Sequence, residues 1–427
     1  MASACTIMSD AAGRAGPPLR VLYITQWFEP EPAFKGAAFA AALAARGMRV
    51  QVLTGFPNYP GGRLYPGYRV LPIKRDTWAG LPIDRVALWP SHDRSSIGRM
   101  ANYVSFFFSV LIYCLVHVGR YDVVYVYHPP ITPALAALFA GRLHKVPVVL
   151  DVQDLWPDSV AASGMGHPII ARLLGWVCRK VHAGVAHIVC QSEGIARALV
   201  ERGVPETRLR TIYNWSNYAP AEPSKLPSTN SSDRILKPDR INVVYGGNLG
   251  SAQQVECLVE AVRRARERVP ELQLHVFGNG IDQSRVVDAA LTSGGGALVH
   301  GRIGREDMDR IFERADIVAL HLRDDPLFAI TIPSKLQHYL SVGKPIVAGL
   351  TGEAARLLEQ SGAAAVAAPG DIDDLADKLV GLALMDSAQR AEIGEAGKAF
   401  YRERLSFTQA ITQTEKLLWQ HGRGERR

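Results

Sequence analysis

A chain of 427 residues exceeds what one hydrophobic core comfortably organises, so two domains are expected. With 48% hydrophobic and 21% charged residues, the composition is that of a soluble globular protein. Lys and Arg outnumber Asp and Glu by 48 to 41, a formal charge of +7 that suits anionic ligands or an anionic membrane surface. No basic run interleaved with aromatics accompanies it, so nucleic acid is not indicated as a partner.

Residues 1–18 are small, polar and rich in Gly and Pro, and read as a disordered leader without an apolar signal segment. Leu19 to Thr25 is a buried strand, Gly36 opens an alanine-rich helix, and Arg49 to Leu53 is a second strand. Strand, glycine turn and helix make a doubly wound α/β beginning. The loop Thr54 to Tyr68, dense in Gly, Pro and Tyr, is long enough to suggest function, with surface padding as the alternative. Strands are expected near Val70 and Val86, followed by the run Val104 to Val118 (VSFFFSVLIYCLVHV), with Arg94 and Arg99 before it. That run falls short of a spanning helix, about 17–25 residues. A core helix and a helix lying in a membrane interface both fit it.

Asp122 to Tyr127 is the next strand and delivers His128-Pro129-Pro130 at its carboxyl end. Val146 to Leu150 delivers Asp151, Asp154 and Asp158, and ligands of open α/β sheets sit beyond such ends. His128 would hydrogen-bond a substrate hydroxyl or cap a neighbouring element. The three aspartates would supply a base and its orienter, hold a divalent cation, or cap a helix. A helix over 171–183 and strands at His187 to Gln191 and Arg210 to Tyr213 complete a domain spanning 19–218. Residues 219–240, rich in Pro, Ser and Asn, read as a linker.

The second half, 241–404, restarts the pattern: strand Ile241 to Tyr245, turn Gly246 to Gly250, helix Gln254 to Glu267, then Leu272 to Phe277 delivering Gly278-Asn279-Gly280. Further strand–helix units follow near 298, 316 and 345, and a last helix spans 405–427. In Leu327 to Glu353, Pro333 is placed at a first helical position, Ser334 and Lys335 follow, and Gly343 ends the helix. A helix N-terminus with an adjacent lysine reads either as a diphosphate site or as an ordinary turn with a solvated lysine. Five scattered cysteines without CxxC pairs point to a reduced protein rather than a disulfide or zinc framework.

Several long segments resemble the GT-B glycosyltransferases of family 4, and among them the bacterial O-antigen and capsule enzymes akin to UDP-L-FucNAc transferases. They are LTGFPNYPGGRLYPGY (53–68), SHDRSSIGRMANYVSFFFS (91–109), VYVYHPP (124–130), DVQDLWPDS (151–159), YGGNLG (245–250), GNG (278–280) and PSKLQHYLSVGKPI (333–346). The resemblance implies two Rossmann-like domains facing a cleft, an acceptor domain followed by a nucleotide-sugar domain, with the last helix crossing back. It implies retaining transfer from an NDP-sugar, UDP-linked, without metal or other cofactor. The acceptor would be a polyprenyl-diphosphate-linked saccharide at the cytoplasmic membrane surface.

Carried over residue by residue, Gly36 would approach the diphosphate and His128 would contact the donor sugar. Gly247, Asn248 and the Gly278-Asn279-Gly280 turn would cradle the diphosphate, with Ser334 and Lys335 on the phosphates and Arg302 and Ile303 flanking the base. Asp154 joins His128 and Lys335 as a candidate for the chemistry. The family's two glutamates would fall at Ile330 and His338, neither acidic here. His338 would replace the ribose contact or leave it to Glu353. Without a carboxylate beneath the sugar, a same-face mechanism fits, in which the leaving phosphate oxygen takes the acceptor's proton. An NDP-sugar epimerase and a non-catalytic scaffold are the alternatives.

Overall fold

A computed structural model describes residues 17–91, 96–162, 168–218 and 235–423. The expected leader up to residue 16, Arg94 and residues 219–234 of the expected 219–240 linker lie outside the described residues; of the remainder, Leu236 is buried in the second unit's core. The chain forms two compact units, Met1–Ile212 with Ile411–Arg427, and Tyr213–Ala410.

The first unit is built on β1 (Leu19–Ile24), β2 (Met48–Gly55), β3 (Ile73–Trp78), β4 (Leu81–Val86), β5 (Val123–His128), β6 (Val148–Val152), β7 (His187–Cys190) and β8 (Leu209–Thr211). They lie in the order β3-β4-β2-β1-β5-β6-β7-β8, parallel except for β3 against β4. The central strands are apolar on both faces, as a sheet covered by helices on both sides requires. The expectation of a strand near Val70 is corrected: Val70 lies in an exposed loop, and β3 and β4 form a hairpin closed by Ala79 and Gly80 at φ 48° and 80°. Two successive positive φ values are what a tight hairpin turn needs.

Helices α1 (Ala37–Ala45), α2 (Ser96–His117), α3 (Thr132–His144), α4 (Asp158–Ala162), α5 (Pro168–Gly184) and α6 (Glu193–Glu201) connect the strands. Helix α2 is 22 residues long, longer than the apolar run that announced it. Its inner face buries Phe106, Val110, Tyr113 and Cys114, while Phe108, Ile112 and Val116 are exposed. The core-helix expectation holds for the inner face, and the outer flank is apolar and uncovered.

A buried charge pair organises the sheet's centre. Lys35 Nζ bonds Asp151 Oδ2, with both side chains out of reach of water. Tyr125 Oη donates to the same carboxylate at 2.5 Å, and Gln153 Nε2 donates to its other oxygen at 2.5 Å. An isolated ion here would carry a large desolvation cost, so the four groups stand or fall together.

The second unit repeats the architecture with β9 (Ile241–Gly246), β10 (Leu272–Phe277), β11 (Ala297–Gly301), β12 (Ile317–His321), β13 (Ile346–Gly349) and β14 (Ala364–Ala367). Its order, β11-β10-β9-β12-β13-β14, is entirely parallel and is the Rossmann arrangement. Helices α7 (Val255–Ala265), α8 (Gln283–Thr292), α9 (Arg305–Arg314), α10 (Pro326–Ala329), α11 (Ser334–Val342), α12 (Gly352–Ser361), α13 (Ile372–Ala383) and α14 (Ser387–Phe400) sandwich the sheet between two apolar clusters. The final helix α15 (Phe407–Arg423) runs into the first unit, where Arg46 pairs with Glu415 at 2.8 Å.

Lys35→Met strands the Asp151 carboxylate in the core and is expected to destabilise the first unit by about 3–5 kcal/mol. Lys35→Met combined with Asp151→Leu should recover part of that loss. Urea unfolding of the single and double variants checks both outcomes.

Candidate active site

Parallel strands leave their carboxyl ends at one edge, and ligands gather where the strand order reverses. In the second unit that edge carries three glycine turns, after β9, β10 and β11. Gly247 N donates to Phe277 O at 2.9 Å, Leu249 N to Asn279 O at 2.9 Å and Gly278 N to Gly301 O at 2.8 Å. The turns are thereby zipped backbone to backbone. Gly278 has φ 141°, and a Cβ there would sit 1.7 Å from Gly247 O; one on Gly280 would meet Leu249 O at 2.1 Å. Only glycine permits this approach. Asn248 is exposed on the turn, its amide donating to Gln253 Oε1 at 3.1 Å.

Helix α11 brings Lys335 to the same turns. Pro333 caps the helix and Ser334 is its first residue, one position later than expected from the sequence. Ser334 is exposed, and Gly343 closes the helix in the left-handed region at φ 77°. Lys335 is half-buried, not solvated. Its Nζ donates to Tyr245 Oη at 2.5 Å and lies 4.0 Å from the centroid of that ring. Tyr245 Oη in turn donates to Asn248 O at 2.7 Å. The lysine therefore leans across Gly247, where an added Cβ would meet Lys335 Cε at 2.2 Å. Removal from water lowers Lys335 from the usual lysine range to about 7. The result is a cation, a helix start and a rigid backbone cradle at one place, the components of a phosphate site.

His338 lies one helical turn on. Its Nδ1 is 3.3 Å from Ser216 Oγ and its Nε2 is 3.7 Å from Asp309 Oδ1, with Phe312 and Tyr218 edge-on to the ring. Burial, and then the Arg305 charge, lower it to about 4, so at neutral pH it is an uncharged hydrogen-bonding group. Glu353 is buried in the first turn of α12, with Tyr213 Oη donating to Oε1 at 3.2 Å. Ile330 caps the end of α10. Arg302 is exposed after β11, and Ile303 packs partly buried against the core beneath α11.

In the first unit His128 ends β5 at the reversal between β1 and β5, buried and with neither ring nitrogen hydrogen-bonded. Trp156 meets it edge-on, with centroids 5.1 Å apart. Burial, with a smaller push from His182, lowers His128 to about 3, so it is neutral at physiological pH. A buried polar ring without a hydrogen-bond partner is costly, and a bound hydroxyl could satisfy it. Asp154, two residues before Trp156, is half-buried and its carboxyl is raised by burial.

The three aspartates separate. Asp151 belongs to the buried Lys35 pair, and exposed Asp158 pairs with Arg202 at 2.6 Å. Among the described residues no three His, Cys, Asp or Glu side chains converge as a metal site. At Gly36 the N-terminus of α1 is occupied: Ala37 N donates to both carboxylate oxygens of Glu29 at 2.8 Å. Any diphosphate approaching Gly36 would meet that carboxylate first.

Two participants escaped the sequence. Tyr245 opens the YGGNLG segment but reads as a core strand residue. Glu31, buried and raised by burial to about 7, accepts from Asn58 N and Tyr59 N at 2.6 Å, tying the β1–α1 loop to the long 54–68 loop. Gly278→Ala forces a Cβ into Gly247 O and is expected to destabilise the second unit by about 2 kcal/mol or more, measurable by denaturant unfolding.

Comparisons with known proteins agree with this geometry. Residues 36–215 match the glycosyl transferase 4-like domain, and residues 240–384 match the glycosyl transferases group 1 domain. The chain is similar to the putative colanic acid biosynthesis glycosyl transferase WcaI of Escherichia coli K12, 24% identical over 322 residues, covering 73% of this chain and 77% of that one. In structure it is similar to Anabaena Alr3699/HepE in complex with UDP, with TM-score 0.65 and 15% identity over 94% of this chain and 100% of that one. It is also similar to sucrose-phosphate synthase from Thermosynechococcus elongatus, with TM-score 0.62 and 14% identity over 94% and 98% of the two chains. Zipped glycine turns, a lysine at a helix start and two Rossmann-like units thus meet in one conclusion: the chain belongs to the GT-B glycosyltransferases of family 4.

Proposed function

We propose that the protein is a retaining, metal-independent transferase. It would move a sugar, an amino-deoxyhexose such as L-FucNAc, from a UDP-linked donor to a polyprenyl-diphosphate-linked saccharide during surface polysaccharide (O-antigen or capsule) assembly. The observation that carries the reading is Lys335 held by Tyr245 over the Gly247 turn. The UDP in the HepE complex and the colanic acid biosynthesis role of WcaI support the choice of donor and pathway class. A lipid-linked acceptor would place the enzyme on the inner face of the cell membrane.

In this reading the glycine turns and the α11 N-terminus, with Ser334, bind the donor diphosphate. Lys335 steadies charge as it develops on the leaving phosphate oxygen, which takes the acceptor hydroxyl's proton on the same face of the sugar. Neutral His128 positions the sugar by hydrogen bonding. Asp154, its carboxyl raised by burial, orients the reacting hydroxyls. Neutral His338 takes the ribose contact that a glutamate would make in relatives, with Glu353 supporting the segment behind it.

The lysine gives this a pH signature. Free Lys335 loses its proton near pH 7, whereas a bound diphosphate would hold it charged. Nucleotide affinity should therefore fall as pH rises from about 7 to 9, with a proton taken up on binding. Calorimetric titration with UDP should show this, and Lys335→Ala should bind about 10- to 100-fold more weakly and lose the pH dependence. Unchanged affinity in that variant would refute the assignment.

Transfer should survive EDTA. A strict requirement for added Mg²⁺ would redirect the mechanism to Asp154 and its neighbours. Absence of any UDP binding would favour a non-catalytic scaffold, the reading for which Ile330 and His338 speak.

A further inference from the structure

The outer face of the first unit carries a surface built by helices that hold none of the candidate site residues. The connections β4–α2–β5, β5–α3–β6 and β6–α5–β7 all step in one direction along the sheet, while β1–α1–β2 steps the other way. Right-handed crossovers therefore put α2, α3 and α5 side by side on one face. The helices touch accordingly: His144 of α3 bonds Leu115 O of α2 at 3.0 Å, and a Cβ on Gly184 of α5 would meet Leu138 of α3 at 2.6 Å.

Away from the sheet, Phe108, Ile112, Phe139, Leu143, Leu173 and Trp176 are 47–64% exposed. Isolated exposed apolar side chains are ordinary, but a set spread over three packed helices is not. The charge pattern says what covers it. The helices have 22, 13 and 17 residues and contain no Asp or Glu, in a chain with 41 of them in 427. At that frequency about five would be expected. The Lys and Arg positions are half-buried Arg99 on α2, and at α3 and α5 Arg142 beside Leu143, Arg172 beside Leu173, Arg179 and Lys180 after Trp176, with Lys145 capping α3; the last five form the set. All five are exposed, and among the described residues none makes an ion pair. Lys180 Nζ reaches 6.0 Å from the Trp176 ring, so apolar and cationic groups are interleaved at one level. Long basic side chains around an apolar patch match the boundary of an anionic bilayer, with stems in the acyl region and heads among phosphates.

We propose that α2, α3 and α5 together form a docking plate for an anionic lipid surface, entering the headgroup region without crossing it. This deepens the membrane reading above and rests on it for its biological sense, but it stands on different residues from the donor site. Length does not forbid α2 from spanning, since 22 residues rise about 33 Å. Its inner face does forbid it. Asn102 donates to Trp89 O at 2.7 Å and Tyr113 to Asp84 Oδ2 at 2.6 Å, which fixes the helix on the sheet with one flank outward.

The test is flotation of the full chain with vesicles of phosphatidylcholine alone and of phosphatidylcholine mixed with phosphatidylglycerol. The protein should float with the anionic vesicles and largely stay behind with the neutral ones. Two paired substitutions, Phe108→Glu with Ile112→Glu on α2, and Leu143→Glu with Leu173→Glu on α3 and α5, should each lower the bound fraction about tenfold. The unfolding midpoint and the UDP-induced thermal shift should remain as in the parent. Arg142→Gln with Lys145→Gln and Arg172→Gln, which leaves the apolar surface intact, should weaken binding to the anionic vesicles alone and keeps the test decisive where a glutamate variant does not fold. Equal binding to both vesicles, parent-like binding by the α3/α5 pair, or a lipid-free dimer that ignores vesicles would each overturn the plate. UDP binding without vesicle binding would overturn it while leaving the transferase reading in place; vesicle binding without UDP binding would do the reverse.

Discussion

Backbone proximity at the edge of the second sheet is the constraint on which the second unit's candidate site depends. The turns after β9, β10 and β11 approach so closely that side chains are excluded, and the hydrogen bonds between them leave little freedom. Lys335 can then be brought over Gly247 by the adjoining helix, with Tyr245 from the strand below setting its height. A cradle of rigid amides and one poised cation suits a reaction whose charge accumulates on a leaving phosphate, because little reorganisation is left for the moment of reaction.

The first unit answers to a different constraint, a charge pair in its interior. Lys35 precedes the Gly36 turn and Asp151 lies on β6, directly across the ladder from Tyr127, the residue before His128. Fixing that pair fixes the loop at the start of α1 and the strand end that presents His128. The ring of His128 is left without polar partners. The sequence around it folds tightly enough to bear that cost, as expected where a substrate group completes the site.

Much of this was legible before any coordinates. Alternating apolar strands and glycine-led helices announced two doubly wound halves, and PSKLQHYL announced the helix start with its lysine, because local spacing encodes both. Partnerships remote in sequence were hidden. Lys35 and Asp151 are separated by 116 positions, and nothing local to either names the other. The strand near Val86 is β4 as expected, but its hairpin partner β3 was placed too early, near Val70, because β3 is mostly exposed and carries Lys, Arg and Asp instead of an apolar alternation, leaving Ala79-Gly80 as its signal. The apolar run of α2 was seen as a segment; that α3 and α5 continue its surface follows only from the handedness of the crossovers.

The last helix has a consequence for how the chain is made. Residues 213–410 form the second unit, yet Glu415 reaches back to Arg46, and Gly422 lies so close to Leu19 that a Cβ there would come within 2.4 Å of it. The first unit is thus interrupted by the whole of the second in chain order. During synthesis the second unit can fold as soon as it emerges, whereas the first, although begun earlier, waits for its closing helix. The early unit holds a partly open flank until residues 411–423 have been made, and α15 is the element that ends that exposure.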